Sequence, residues 1–392
     1  MKSKMIALML AVLCLLGCLA GCGGGGSSSV SSGESSSSTP TATPEPTDET
    51  PDKYALAYAK YDPDEVVLTV NGTPVTWQEY YCWLYAICSV VDSQNAYYYG
   101  TETDWSEAID EEYTYQRSAQ EYAESMVSQY VVIDNAFHEA GLTLSAEAQA
   151  ELDNALQNAA DSNTDGDMDA FLQQLDAYYI SQDYYLYTCA VSLDYEELFA
   201  QQFGADAQLL SDEDAIAYAL DNGYMYAKHI LFKTVDDAGS PLDEDTVAQK
   251  KADAEAVLAQ LRACSDTEEM LALFDTLEAQ YNEDTGREYY PDGYYFQEGE
   301  MVTVFEDAVK ALEENSISDV VESSYGYHII LRPTMDPNAV MEIDSTGAPI
   351  TLRYAAAASI FSGVTSEWFD GAEIVYTDKF AALDLNELFS GK

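Results

Sequence analysis

The apolar residues in the central part of the chain recur every three or four positions, which is the period of an amphipathic helix. One such stripe contains Tyr122, Met126, Tyr130, Ile133 and Phe137. We interpret it as a helix-packing surface rather than a cofactor site, because such stripes usually face a core. The same period predicts helices over about 76–97, 105–140, 145–160, 167–178, 181–202 and 211–222.

A β-type pattern precedes these helices. Two short runs, 66–70 and 73–76, are separated by Asn71-Gly72, a dipeptide that favours the tight turn of a hairpin. Thr76 and Glu79 then form a capping-box pattern, which predicts the start of the first long helix.

The segment from Asp161 to Asp169 has two interpretations. Its oxygen-bearing side chains alternate around Gly166, as in the first nine positions of a calcium-binding helix-loop-helix. The twelfth position is Leu172, where such a loop carries a bidentate glutamate. An acidic loop that caps a helix beginning near Met168 explains the same residues. The sequence leaves both interpretations open.

The pattern changes after Asn222-Gly223. Residues 224–232 predict a buried strand, and helices follow over about 246–264, 266–281 and 302–314. Two further strands are predicted over about 317–322 and 326–332. A small sheet with helices packed on it places this part of the chain in the α+β class.

The first residues predict export and lipid anchoring. An apolar run from Met5 to Ala20 follows two lysines and is too short for a retained membrane span, so residues 1–21 are interpreted as a secretion signal. Leu19-Ala20-Gly21-Cys22 resembles a lipobox, which implies that Cys22 is acylated and becomes the new N-terminus. Ordinary signal cleavage with Cys22 unmodified is the alternative. Residues 22–59, rich in Gly, Ser, Thr and Pro, are predicted to form a flexible linker.

Charge and cysteine content narrow the classes of function. A net charge of -54 repels phosphate backbones, which argues against nucleic-acid binding, while 47% hydrophobic residues suffice for folded domains. Cys82, Cys88, Cys189 and Cys264 show no CxxC spacing, so we expect free buried thiols, with one or two disulfides as the alternative.

Two of the three histidines lie in predicted strands of the α+β region. His229 stands in Lys228-His229-Ile230-Leu231, and His328 stands in Gly326-Tyr327-His328-Ile329-Ile330. Each histidine alone is typical of a hydrogen-bonded core residue. Together the two motifs resemble the parvulin family of peptidyl-prolyl isomerases, and the segment 296–306 is similar to the family's stretch between a turn and a helix.

The resemblance implies an active site. His229 and His328 would be paired imidazoles, and Asp284 stands where the family has Cys or Asp. It implies no cofactor and no metal. The residues implied to bind the substrate are Met301, Phe305, Gln297, Ser323 and Tyr325.

One departure from the family pattern concerns the pocket. The family usually has Gly-Gly-Asp-Leu-Gly before the aromatic residue of its second strand, whereas this chain has Tyr290-Pro291-Asp292-Gly293-Tyr294-Tyr295. Gly293 thus stands in place of a pocket leucine, and we expect a looser proline pocket.

The wider layout resembles exported foldases in which a parvulin domain is inserted in a mostly α-helical chaperone domain. We expect the helical domain over 60–222, the parvulin domain over 223–334 and a C-terminal segment over 335–392 that packs on the helical domain. The resemblance implies a lipid-anchored foldase on the extracytoplasmic face of the membrane, acting on X-Pro bonds of unfolded exported proteins. A holdase with an inactive parvulin domain is the alternative. A solute receptor would need parallel strands that the pattern does not predict. Monomer and homodimer both remain open.

Overall fold

The computed structural model describes residues 52–390. The predicted signal, Cys22 and most of the predicted linker lie outside the described residues. The first of two compact units contains the described residues up to Gln201 and those from Ser362 onward, and the second runs from Gln202 to Phe361. The extent 223–334 for the inserted domain stays a prediction. Among residues 52–390, no helix is long and apolar enough to cross a membrane.

The secondary structure is mixed, and the predicted α+β class is confirmed. The elements up to the first strand of the second unit are α1 (Lys53–Tyr58), β1 (Val66–Val70), β2 (Thr73–Thr76), α2 (Trp77–Tyr99), α3 (Tyr115–Glu139), α4 (Ala146–Thr164), α5 (Met168–Ala177), α6 (Gln182–Phe203), α7 (Asp212–Asp221) and β3 (Met225–Lys233). The remaining elements are α8 (Glu244–Arg262), α9 (Thr267–Tyr281), β4 (Tyr294–Phe296), α10 (Thr303–Ala311), β5 (Ser316–Ile317), β6 (Val321–Glu322), β7 (Gly326–Arg332), β8 (Val340–Ile343), β9 (Pro349–Thr351), α11 (Leu352–Asp370), β10 (Ile374–Tyr376) and α12 (Leu385–Leu388).

The predicted hairpin and helix cap of the first unit are confirmed. β1 and β2 are antiparallel, and the turn between them has positive φ angles at Asn71 (50°) and Gly72 (83°). Asparagine and glycine adopt this conformation at low cost. The Thr76 N–H donates to the Glu79 carboxylate at 2.7 Å, which satisfies a free donor at the start of α2.

C-terminal residues complete the first unit. β10 pairs antiparallel with β1, with Tyr376 opposite Leu68. The Phe380 ring stacks on Trp77 at a centroid distance of 5.5 Å, and both side chains are almost fully buried. The core of the first unit therefore contains residues that are about 300 positions apart in sequence.

Two predicted segments of the first unit, a helix and the linker, have incorrect boundaries. α3 begins at Tyr115 rather than near 105, because Thr114 caps the Arg117 N–H at 3.2 Å and the preceding residues form turns. The linker does not extend to residue 59, because α1 is helical and buries Tyr54 and Ala57.

The segment from Asp161 to Asp169 follows the helix-cap interpretation. α4 continues through Thr164, so Asp161 lies on a helix and accepts a hydrogen bond from Gln157 at 2.8 Å. Asp167 then caps α5 by accepting the Ala170 N–H at 3.0 Å. Among residues 52–390, no group of three or more His, Cys, Asp or Glu is arranged to hold a metal ion.

The second unit is built on an antiparallel sheet of order β4-β3-β7-β5, with β6 also paired to β7. Side chains of a strand alternate between the two faces. Ile230 and Ile329 face α8 and α9, whereas Ala227 and Ile330 face α10. His229 and His328 occupy the alternation of this second face, so the sheet directs both imidazoles toward α10.

The predicted strand over 317–322 is interrupted. It forms β5 and β6, because Ser318 between them bonds to Ile330 through both its backbone and its side chain. The Ser318 N–H donates to the Ile330 carbonyl at 2.8 Å, and the Ile330 N–H donates to the Ser318 hydroxyl at 2.9 Å. A side chain thus replaces one bond of the ladder.

Candidate active site

The centre of the site is a pair of buried histidines on neighbouring strands. In the register of β3 and β7, His229 lies opposite Ile330 and His328 lies opposite Leu231, so the two histidines are diagonal neighbours on one face. Their Nδ1 atoms are 3.0 Å apart, and their rings are nearly parallel at 20°. One nitrogen of this contact must donate and the other must accept.

Asp284 reaches the pair from the loop that follows α9. Asn282 fastens this loop to the sheet, because its side-chain oxygen accepts the N–H of Leu231 at 3.0 Å and the N–H of Asp284 at 3.2 Å. Asp284 Oδ2 lies 2.8 Å from His229 Nε2, and Oδ1 accepts the Gly286 N–H at 2.9 Å. The carboxylate is therefore held at both oxygens.

Ser323 closes the other end of the network. Its hydroxyl lies 2.7 Å from His328 Nε2 and accepts the Tyr325 N–H at 3.1 Å. A continuous hydrogen-bonded chain thus runs from Ser323 through His328 and His229 to Asp284. Because Asp284 accepts from His229 Nε2, a neutral pair of rings has one proton arrangement: Ser323 donates to His328, and His328 donates to His229.

Burial and neighbouring polar groups determine the protonation states of His328 and Asp284 in this hydrogen-bonded chain. Burial, together with the nearby His229, lowers the pKa of His328 to about 3, so His328 is neutral at physiological pH. Burial tends to raise the pKa of Asp284, but hydrogen bonds from His229, Tyr294 and the Gly286 N–H outweigh it and hold that pKa well below its usual range. Asp284 is therefore ionised.

An apolar cluster lies beside the imidazoles. The Phe305 ring, on α10, stands edge-on to both histidines, at 5.4 Å from His229 and 5.6 Å from His328. Met301 packs against the same cluster. The buried carboxylate of Glu306 accepts the N–H groups of Gly299 at 2.8 Å and Met301 at 3.0 Å, which fixes the turn that carries Met301.

The structure brings together His229, His328, Asp284, Ser323, Met301 and Phe305. Two of the predicted wall residues are directed elsewhere. Gln297 donates its side-chain amide to the Asn222 carbonyl at 2.7 Å, at the end of α7. Tyr325 contributes its backbone N–H to Ser323, and its side chain is 54% exposed.

Gly293 is required by the backbone. Its φ is +105°, and a Cβ there would lie 2.8 Å from the Ala227 carbonyl oxygen. A leucine does not fit this position without a shift of β3 or β4. The departure from the family pattern therefore reflects a close approach of two strands, in which the glycine backbone itself is buried.

Sequence reasoning missed Tyr294. Its hydroxyl donates to Asp284 Oδ2, and its ring stands edge-on to His229 at 5.6 Å and 88°. The pairing of β3 with β4 would have revealed this contact. Tyr294 pairs with Ala227, which lies two residues before His229 on the same face of β3.

The cysteines among residues 52–390 do not belong to the hydrogen-bonded chain of this site. Cys82 and Cys88 are buried free thiols, as expected. Cys264 is also free but is partly exposed rather than fully buried, and Cys189 is buried.

A comparison with protein families identifies the domain. The rotamase family, described as the PPIC-type PPIASE domain, matches residues 229–333. This segment is a parvulin-type domain. The parvulin domain includes β3 from His229 onward, the loop of Asp284, α10 and β7, and therefore all the residues of the hydrogen-bonded chain.

Relatives in sequence are foldases. The chain is 32% identical over 139 residues to "Foldase protein PrsA" of Halalkalibacterium halodurans, which covers 34% of this chain and 35% of the relative. It is 30% identical over 158 residues to the PrsA of Oceanobacillus iheyensis, covering 35% of this chain and 45% of the relative. The matches thus span less than half the length of these relatives.

Solved structures of the same kind align at low similarity. The peptidylprolyl isomerase PrsA of Bacillus cereus is 18% identical, covers 73% of this chain and 99% of that structure, and gives a TM-score of 0.27. The foldase PrsA of Lactococcus lactis is 13% identical, covers 83% of this chain and 98% of that structure, and gives a TM-score of 0.29. The assignment of the parvulin domain depends on the family match and on the sheet described above.

Proposed function

We propose that this protein is a membrane-anchored, extracytoplasmic foldase that catalyses the cis/trans isomerisation of X-Pro bonds in exported polypeptides. The observation that carries the proposal is the hydrogen-bonded chain Ser323–His328–His229–Asp284 beside the apolar cluster of Phe305 and Met301. The family match and the foldase relatives support the same activity.

The chemistry of the reaction fits this combination. Rotation about an X-Pro bond meets a barrier of about 20 kcal/mol, because the amide loses its resonance in the twisted state. The planar amide is the more polar state, so apolar surroundings around the proline ring favour the twisted one. Phe305 and Met301 supply such surroundings. No bond to the protein is formed or broken.

The hydrogen-bonded chain fixes the orientation of the two imidazoles next to the apolar cluster. Asp284 holds the His229 Nε2–H, and Ser323 fixes the orientation of His328. Because His328 is neutral, it places no positive charge beneath the apolar cluster. We propose that this rigid arrangement holds the prolyl amide in one orientation while it rotates.

The test is the isomerisation rate of a short X-Pro peptide, measured by exchange spectroscopy with the exported part of the chain carrying Cys22→Ser. His229→Ala and Asp284→Ala are expected to reduce the acceleration about tenfold or more, because each disrupts the hydrogen-bonded chain that orients the amide. Met301→Ala is expected to reduce it about tenfold, because it removes part of the apolar surroundings of the proline ring. All three variants must keep the circular dichroism of the intact protein.

His138→Ala is the matched control, because His138 is the third histidine and lies on α3 with a side chain that is 70% exposed. It is expected to keep the full rate. An intact protein that does not accelerate isomerisation, yet suppresses aggregation of an unfolded polypeptide equally with and without His229, would instead establish the holdase alternative.

The membrane anchor is a separate part of the proposal, supported by the lipobox-like Leu19-Ala20-Gly21-Cys22. Full-length protein expressed in a bacterium is expected in the membrane fraction, and Cys22→Ser is expected to release it to the soluble fraction. Cys18→Ser is the control. Equal membrane retention of the Cys22→Ser protein would contradict acylation at this residue.

A further inference from the structure

Tyr294 contacts the hydrogen-bonded chain without belonging to it. Its hydroxyl and His229 Nε2 donate to the same oxygen of Asp284, Oδ2. Its ring stands edge-on to His229 and packs against the cluster that contains Phe305. One side chain therefore touches the carboxylate, the imidazole and the apolar cluster.

Two glycines make room for this side chain. Gly293, with its positive φ, lets the backbone pass close to Ala227 and turn into β4 just before Tyr294. A Cβ at Gly286 would overlap the Tyr294 hydroxyl, whereas the Gly286 N–H itself donates to Asp284 Oδ1. The local backbone thus allows the phenol to approach the carboxylate.

The neighbouring Tyr295 shows that a tyrosine in β4 does not need this contact. It points to the opposite face, where its ring stacks on Tyr226 at 4.2 Å and its hydroxyl donates to the Asp336 carbonyl at 3.1 Å. Of these two adjacent phenols, only Tyr294 reaches Asp284.

We propose that Tyr294 is a positioning residue for proline isomerisation: its hydroxyl holds the Asp284 carboxylate in place against His229, and its ring closes the same side of the apolar cluster. This inference rests on the proposed isomerase function and adds a residue to it. The phenol acts through Asp284 and His229.

The experiment compares Tyr294→Phe, which removes only the hydroxyl, with Gly286→Ala, which displaces the hydroxyl by steric contact. Tyr295→Phe is the matched control, because it removes the hydroxyl of the adjacent tyrosine, which lies outside the site. Peptide isomerisation is measured as kcat/KM against pH. Histidine-selective ¹⁵N labelling of the full exported chain gives a second readout, since the sequence has only three histidines.

Tyr294→Phe and Gly286→Ala are each expected to lower kcat/KM about tenfold, because a hydrogen bond to a charged group is lost. The acid limb of the activity profile moves to higher pH, because loss of a donor raises the pKa of Asp284. The Nε2–H signal of His229 shifts in both variants. Tyr295→Phe leaves the rate, the acid limb and the signal unchanged.

An active protein whose Tyr294→Phe variant keeps the rate and the His229 signal would overturn this inference alone. An equal effect of Tyr295→Phe would also overturn it, since the effect would then come from general loosening of β4. If the intact protein does not accelerate isomerisation, the proposed function fails together with this role, even where the His229 signal shifts.

Discussion

Burial changes the protonation of His328 by lowering the pKa of its imidazole. Its imidazole is buried on one face of the sheet, between His229 and Ser323, so a charge on it would be poorly solvated. Burial and His229 lower its pKa to about 3, and only the more distant Asp284 acts in the opposite direction. A buried base of this kind makes folding stability depend on pH.

The sign of that dependence follows from proton linkage. An unfolded histidine titrates near pH 6.5 and folded His328 near pH 3, so the unfolded state binds more protons between these values. The stability of the second unit should therefore fall as the pH drops from about 6.5 toward 3, with no contribution from His328 above that window. Because the pKa of Asp284 is also lowered by folding, its protonation reduces the stability of the second unit further, but only below about pH 4.

We predict that His328→Gln reduces the loss of stability between pH 7 and pH 5. Urea unfolding can be followed by the NMR signal of His229, which reports the second unit. His138→Gln is the control, because exposed His138 lies on α3 in the first unit and its replacement should leave the acid loss of the second unit unchanged. An unchanged acid loss in His328→Gln would contradict the assignment.

Short sequence motifs predicted most of the polar residues that meet in the site. The histidine motifs and the Asp284 position brought three polar groups together, since strand alternation already put both imidazoles on one face. Tyr294 was not predicted, because its partner depends on the register of β3 against β4 and on the space beside Gly286. The contact of Gln297 was not predicted for a related reason: its amide donates to the Asn222 carbonyl at the end of α7, a partner distant in sequence.

At the scale of elements, the positions of two helix ends distinguish between the two interpretations of the segment from Asp161 to Asp169. The segment from Asp161 to Asp169 has the composition of a calcium loop, yet α4 continues through its first four residues. Asp165 then takes a left-handed conformation with φ 52°, and Asp167 caps α5. Local capping uses the same oxygen atoms that a cation would need.

This geometry makes a testable difference between two aspartates. Asp167→Ala should destabilise the first unit by about 1 kcal/mol, because an N-cap is lost. Asp169→Ala, an exposed change in the first turn of α5, should cost much less. Millimolar calcium should leave the urea midpoint of the intact protein unchanged. Equal effects of both substitutions, combined with a calcium-dependent midpoint, would restore the calcium interpretation.

The two long strands β3 and β7 were predicted better than the start of α3. β7 matches its predicted range, and β3 is shifted by one residue, because long buried runs of β-branched and aromatic residues have few alternatives. The start of α3 was misplaced by ten residues. Trp105 is 2% exposed, and its N–H donates to the side chain of Asn386, a partner that no local pattern reveals.

At the scale of the whole molecule, the first unit depends on both ends of the described chain. Phe380 packs between Trp77 and Tyr61 and is 1% exposed, although it follows the second unit in sequence. All four tryptophans, Trp77, Trp83, Trp105 and Trp368, belong to the first unit. Their fluorescence therefore reports the unfolding of this unit separately.

We predict that Phe380→Ala destabilises the first unit by about 3–5 kcal/mol, because it leaves a cavity in an aromatic core. Tryptophan fluorescence during urea unfolding measures the change. Val375→Ala, on the exposed side of β10, should change stability by no more than about 0.5 kcal/mol. A small effect of Phe380→Ala would show that the C-terminal residues do not contribute to this core.

The sequence alone determined the features that depend on neighbouring residues: the period of each helix, the Asn71-Gly72 turn, the buried strands and the two histidine motifs. Only the tertiary structure decided which side chains meet across the chain. Tyr294 and His229 donate to the same oxygen of Asp284, the Ser318 side chain replaces a ladder bond, and Phe380 fills a core formed about 300 residues earlier. Such contacts are fixed by strand register and packing, which act between segments whose separation no local pattern records.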